Sequence, residues 1–390
     1  MNVNVPVIIV GFSLNGLGIV RSLAPSGVKC FVLYDQPEDP CLKTKFGEKI
    51  RVPGISAEDI LPAIKKIKDA TGEKPVLFLT NDFTVDSISK NRDLFAGLVR
   101  FPLPDHEMVD ALLQKDRCKA LYEKAGIDQP DTACLAHGED DAALDGLRYP
   151  CILKASEKPD GYSERFKKAY IVEYADEARE IFAAMRGFVD RVVVQEWIDG
   201  QDSDIYFGLT IMNHDGTAAA AFCGKKIVSW PPRMGNTAQC APAPEMEESV
   251  VAATTRLFKL AGLVGFGALE FKRSGRDGRL CAIEPTVFRA DYQAEIATLN
   301  GVNLPLAFYC LATDQPCPKM ISTPKSGWSD PVYMARLKGF WALLPNKSSF
   351  PMKDAYLRWN DPFPWVMLRY WQLISLMRGA GRKIGGVIKA

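Results

Sequence analysis

The chain has 390 residues, of which 47% are hydrophobic and 24% charged; 48 basic and 47 acidic residues leave a formal net charge of +1. Such a balance carries no electrostatic footprint for nucleic acid, and the length exceeds what one small core organises, so two or three domains are expected. The ten cysteines form no CxxC pair, and His106, His137 and His214 lie far apart. This argues against a zinc site and a histidine-based triad. The opening MNVNVPVIIVGFS has neither a basic n-region nor a small-residue cleavage site, which predicts a cytoplasmic protein with reduced thiols.

In chain order, VPVIIVGFSLNGLGIVRSLAPSGVKCFVLYD reads as strand, helix, strand, the βαβ unit of an α/β protein. Gly11, Gly16 and Gly18 sit at its first turn with spacing G-x4-G-x-G, and Asp35 ends its second strand. A dinucleotide site would show G-x-G-x-x-G. The glycines therefore stand either for NAD binding, and with it an oxidoreductase, or for helix packing in a Rossmann-like half-domain. KPVLFLTNDF (74–83) adds a parallel strand between helical patterns at 57–70 and 84–97. Turn residues near 105 close this first domain.

LLQKDRCKALYEKAGIDQPDT reads as a helix ending at Gly126, and RYPCILKAS as a strand carrying Lys154 in its apolar body. The segment 156–168 is polar and loop-like. AYIVEYADEAREIFAAM gives a strand and a helix, and VVVQEWIDGQDSDIYFGLTIM two strands. TAAAAFCGKKIVSWPPRMG runs from a strand into a loop with Lys225, Lys226 and Arg233; a helix follows at 245–262. GALEFKRSGRDGRLCAIEPTVFR (267–289) reads as a hairpin with one carboxylate, Glu270 or Glu284, in each apolar strand. Burying an unpaired carboxylate is costly, so both acids call for a partner.

Beyond residue 313 proline, lysine and aromatic residues dominate. From Pro362 onward there is no acid, while Arg369, Arg378, Arg382, Lys383 and Lys389 are present. Trp365, Leu368, Trp371, Leu376 and Met377 would share an apolar face. The segment fits a basic amphipathic helix on an anionic membrane, or a helix docked on the protein's own body or a second subunit.

Lysines on interior strands are rare and reach a ligand or an acid. Lys115 and Lys154 followed by the two-carboxylate hairpin would suit a phosphate chain held by cations, with Mg²⁺ between it and the acids.

The order of QKDR (114–117), PCILK (150–154), QEWIDGQDSD (195–204), GKKIVSWPPRMGNT (224–237), GALEFK (267–272) and EPTVFRADYQAEIATLNGVNLP (284–305) resembles the ATP-grasp enzymes. The similarity is greatest to their carboxylate–amine ligases, the group that includes D-aspartate-ligase-like proteins, and it spans residues 5–313. It implies an α/β chain with a Rossmann-like N-terminal domain (1–108), an ATP-grasp domain (109–313) and a tail (314–390). The implied activity is ATP-dependent amide formation from a small carboxylate and an amine, with ATP and Mg²⁺ as cofactors and Mn²⁺ as a substitute. An inactive ATP-binding sensor is the alternative.

By the same resemblance, Lys115 and Lys154 bind ATP phosphates, with Lys168 as a weaker third. Gln195, Glu196, Trp197 and Ile198 form the adenine hinge, and Asp202 holds the ribose. Glu270 and Glu284 ligate Mg²⁺. Thr286 stands where many members have a metal-binding asparagine, with Asp291 and Asn303 as compensating candidates. Phe288 replaces a frequent glycine, which would narrow the acceptor pocket. Arg289, Arg233 and Lys226 are the substrate-site candidates. Ligases of this type are often homodimers, and a membrane-bound tail would place the protein at the inner face of the membrane.

Overall fold

The structure, a computed structural model, describes residues 3–102, 106–113, 118–136, 141–156, 162–167, 169–233, 235–337 and 348–387. The chain forms two compact units. The first combines residues 1–125, 201–270 and 284–390; the second combines 126–200 and 271–283.

The first unit opens with β1 (Val7–Val10), α1 (Leu14–Leu23), β2 (Cys30–Tyr34), β3 (Glu48–Arg51), α2 (Ala57–Thr71), β4 (Val76–Leu79), α3 (Asp82–Lys90) and α4 (Arg92–Phe95). The four strands make a parallel sheet in the order β3-β2-β1-β4. β1 and β4, VIIV and VLFL, are buried throughout, as parallel strands covered on both faces must be. Side-chain caps fix the helix starts: Ser56 accepts from Asp59 N for α2, and Asn81 accepts from Thr84 N for α3. The first-turn glycines serve backbone geometry and packing. Gly11 has φ +75°, and a Cβ at Gly18 would stand 3.1 Å from the Cβ of Glu295. Helices α5 (His106–Leu113) and α6 (Cys118–Lys124) follow.

The second unit holds β5 (Thr132–Ala136), β6 (Cys151–Ala155), α7 (Tyr162–Arg165), β7 (Tyr170–Val172), α8 (Ala175–Ala184) and β8 (Arg191–Glu196). Its antiparallel sheet has the order β5-β8-β6-β7. β6 and β8 alternate between buried and half-exposed residues, so one face of each closes a core with Leu144, Tyr162 and Met185.

The chain returns to the first unit with β9 (Ile205–Met212), β10 (Ala218–Trp230), β11 (Asn236–Pro242) and α9 (Glu247–Leu260). The predicted hairpin is present as β12 (Gly265–Arg273) and β13 (Leu280–Val287), followed by α10 (Glu295–Leu299) and α11 (Leu304–Ala312). β14 (Gly327–Ser329), α12 (Pro331–Arg336), β15 (Met352–Asp354) and α13 (Phe363–Val387) complete it. Seven strands join in the order β13-β12-β9-β10-β11-β14-β15.

The tail docks on the body. Asp361, fully buried, accepts from Arg21 Nε (2.9 Å), Thr44 Oγ1 (2.7 Å) and Lys45 N (3.0 Å). Leu368 is buried and Trp365 packs against the main core, so these two residues of the predicted membrane face are turned to the protein instead. Leu376 and Met377 fall outside the described side chains. A different apolar stripe faces outward: Phe363, Val366, Tyr370 and Leu373 are each half or more exposed. Their spacing of three, four and three residues puts them on one side of α13. Among the described residues no helix is long and apolar enough to cross a membrane.

Candidate functional site

Within the first unit a charged cluster surrounds β10, β12 and β13. Lys226, on β10, is buried, and its ammonium lies 2.7 Å from Glu270 Oε2 on β12. It also donates to Gly235 O at 3.4 Å. Burial pushes the Lys226 pKa down, but Glu270, then Asp291 and Asp202, outweigh this and hold it above the usual lysine range. Burial pushes the Glu270 carboxyl up; Lys226 pulls it back only in part, because Asp291 and Glu284 add negative charge nearby. Glu284 is the exposed acid of β13, and Thr286, two positions on and on the same face, is half-buried.

Arg289 follows this strand and bonds Asp82 at two points, Nε to Oδ1 and Nη2 to Oδ2 (3.0 Å). Burial depresses the guanidinium, but Asp82, Asp291 and Glu284 together raise it above its ordinary value. Phe288, just before it, has φ +58°. That left-handed backbone accounts for a glycine suiting this position. The Phe288 ring is buried. Asp291 accepts from Tyr292 N (2.8 Å) and from Gln293 Nε2 (2.9 Å). Asn303 caps α11 through Leu306 N and donates to Ser22 O, which commits it to the fold rather than to a metal.

Asp202 accepts from Ser229 N (2.8 Å) and Arg233 N (2.9 Å), tying the end of β10 to the following loop. Arg233 has φ +68°, and its side chain is exposed.

The second unit carries the other predicted nucleotide residues. Lys154 lies on β6 opposite Val193 and is half-buried. Gln195 donates to Thr132 Oγ1 (3.1 Å). Glu196 is buried between Arg279 (2.9 Å) and Arg148 (3.1 Å), and its carboxylate also accepts from Asp131 N. Its side chain is thus a structural hub, and its backbone N–H is given to Asp131 O (2.7 Å). Trp197 takes the Lys272 ammonium over its ring at 5.0 Å, and Ile198 is buried. Lys115 and Lys168 lie outside the described residues.

Sequence reading missed Asp82 and left Asp291 unplaced. Their signal was weak: TNDF reads simply as a strand followed by a helix cap. Among the described residues no group of three or more acids, histidines or cysteines is arranged to hold a metal. Glu270 and Glu284 supply hard oxygen donors that suit Mg²⁺, an ion that completes its shell with water and phosphate oxygens.

The fold is shared with solved enzymes. N5-carboxyaminoimidazole ribonucleotide synthetase from Thermus thermophilus aligns with a TM-score of 0.60 at 18% identity, covering 82% of this chain and 81% of that one. The biotin carboxylase domain of Hydrogenobacter thermophilus 2-oxoglutarate carboxylase, solved with MgADP, ADP and bicarbonate, aligns with a TM-score of 0.62 at 14% identity, covering 83% and 73%. Biotin carboxylase from Campylobacter jejuni aligns with a TM-score of 0.60 at 17% identity, covering 83% and 74%. These are ATP-grasp structures, and the chain has the ATP-grasp fold. In sequence, the carbamoyl phosphate synthase large chain, C-terminal section, of Methanopyrus kandleri is 26% identical over 188 residues, 46% of this chain. The chain spans about a third of that relative's length, 33%. No family model matches.

Proposed function

We propose that the protein is an ATP-dependent carboxylate–amine ligase. A carboxylate oxygen attacks the γ-phosphorus of ATP, the bond to ADP breaks, and an acylphosphate forms. The amine nitrogen then attacks the acyl carbon, phosphate leaves, and the nitrogen loses a proton as the amide forms. The observation that carries this reading is the Lys226–Glu270 pair with Glu284, Asp291 and Arg289 around it in an ATP-grasp fold.

In this reading Glu270 and Glu284, with the Thr286 hydroxyl, hold Mg²⁺ (or Mn²⁺), which supplies charge neutralisation on phosphate oxygens when bound. Lys226 balances the charge of Glu270, and its ammonium would also be available to a phosphoryl oxygen. Lys154, Lys115 and Lys168 bind the phosphates. The backbone of Gln195 to Ile198 frames the adenine with Trp197 as its wall, and Asp202 accepts from the ribose. Arg289 and Arg233 orient a substrate carboxylate. The chemistry is assigned to residues 109–313. The enzyme's work is positioning and charge stabilisation, so no nucleophilic side chain is required.

The test is ADP and phosphate release with Mg-ATP against paired carboxylates and amines. Release that needs one of each establishes the ligase. Mg-ADP binding with no turnover for any pair favours an inactive nucleotide sensor, the reading that Thr286 in place of asparagine suggests. Two carboxylates alone make a poor magnesium site, so isothermal titration is expected to show Mg²⁺ binding only when ADP is present.

We further propose that the exposed stripe of α13 rests on an anionic membrane, because the chain from Pro362 onward has basic residues and no acids. Full-length protein is expected to sediment with phosphatidylserine vesicles and not with phosphatidylcholine vesicles. Replacing Phe363, Val366, Tyr370 and Leu373 with serine should abolish this. If those changes instead convert a dimer to a monomer in gel filtration and leave sedimentation unchanged, a second copy covers the stripe.

A further inference from the structure

The four-stranded sheet reverses its order between β1 and β4: the chain leaves β1 toward β2 on one side and returns to β4 on the other. In open α/β sheets, ligands bind in the crevice outside the carboxyl ends of the strands at such a switch point. Here that crevice is edged by Gly11 to Ser13 after β1 and by Thr80 to Asp82 after β4. The segment that follows the Glu284 strand is laid into it. Ala290 N donates to Leu79 O (3.3 Å), at the last residue of β4. Asn15, buried at the start of α1, donates to both Thr80 O (2.7 Å) and Ala290 O (3.2 Å). These bonds place Arg289 where it meets Asp82.

The Arg289–Asp82 pair is lopsided. The Arg289 side chain is 16% exposed, whereas that of Asp82 is 57% exposed. A guanidinium has five N–H donors. Nε and Nη2 go to Asp82, and Nη1 makes only a 3.5 Å contact with Ala290 O. The surroundings are acidic: Arg289 feels Asp82, Asp291 and Glu284, and Lys226 is matched by Glu270. An exposed carboxylate next to a guanidinium with donor capacity presents one site for an ammonium and one for a carboxylate, side by side.

We infer that the switch-point crevice is the binding site for one of the two substrates, an α-amino acid whose ammonium is read by Asp82 and whose carboxylate is read by Arg289. The inference rests on the ligase reading and deepens it by naming a substrate class and a residue, Asp82, at the start of α3.

The test is binding of the common L-amino acids and their D-enantiomers to the full chain with Mg-ADP, by isothermal titration. Each amino acid is compared with its desamino acid and its decarboxylated amine. At least one amino acid should bind, and both truncated counterparts should bind at least about tenfold more weakly. Asp82→Asn should weaken the amino acid by at least about tenfold and leave its desamino acid unchanged. Asp82→Glu should restore part of the loss, and Mg-ADP binding should be unaltered in both variants. If no amino acid binds, the inference is wrong. It is also wrong if Asp82→Asn weakens amino acid and desamino acid in the same ratio, because Asp82 would then act solely by holding Arg289. A thermal melt of each variant separates these outcomes from unfolding. Failure to bind Mg-ADP at all would instead sink the ligase reading.

Discussion

Glu284→Gln is expected to lower the rate of ADP release by about 10²–10³-fold, the loss typical when one preorganised electrostatic group is removed from a reacting centre. The amide keeps the side chain's shape and one oxygen donor but carries no charge. Glu284 is exposed and is one of the acids that raise the Glu270 pKa. Its neutralisation should therefore ease deprotonation of Glu270 and leave the fold intact, so the whole loss should appear in turnover. Steady-state kinetics with a coupled ADP assay would check this, alongside a melting curve matching the parent protein. A rate within threefold of the parent would remove Glu284 from the reacting centre.

Asp361→Ala is expected to destabilise the first unit by about 3 kcal/mol, the lower end of the range for breaking a buried ion pair. The side chains of Arg21 and Asp361 are 6% and 0% exposed. The lower end applies because Arg21 keeps bonds to Ala355 O, Tyr356 O and Asp361 O, so its guanidinium is not stranded. For a unit of this size the loss corresponds to a fall of roughly 6 °C in Tm, at about 2 °C per kcal/mol. Thr44 and Lys45 lose an acceptor in the same step. Asp361→Asn, which keeps an acceptor oxygen, should fall between. A change below one degree in differential scanning calorimetry would show that the tail is not held here.

Much of the fold was legible because local patterns were strong. The buried runs VIIV and VLFL, the alternation of β6 and β8, and the hairpin bearing Glu270 and Glu284 all stood in the sequence as periodicity and turn chemistry. What escaped was pairing across long separations. Arg289 and Asp82 are 207 residues apart, and Arg21 and Asp361 are 340 apart; neither pair leaves a local signature. The tail shows a second limit. Its helix was readable, yet α13 has apolar residues on two sides, and only packing decides which side docks. Phe288 shows a third: a left-handed φ is invisible when the residue is not glycine. Glu196 shows a fourth: the resemblance assigns adenine reading to the hinge backbone, and nothing local in QEWI announces that its carboxylate pairs with Arg148 and Arg279.

The first unit draws on three stretches of chain, and the second is assembled from the two stretches between them. During synthesis the four parallel strands, all between Val7 and Leu79, emerge close together and can pair early. The seven-stranded sheet cannot. Its order puts β9 and β10 in the middle and leaves β14 and β15 to join last, more than a hundred residues after β9. Until they arrive, β11 presents an unpaired edge, and Cys240 lacks its neighbour Trp328. Pairings of such sequence separation are slow and leave strand edges exposed while they wait. The nascent chain therefore passes through a long interval in which its N-terminal sheet is complete and its largest sheet is open at one side, the interval in which a holding chaperone would matter most.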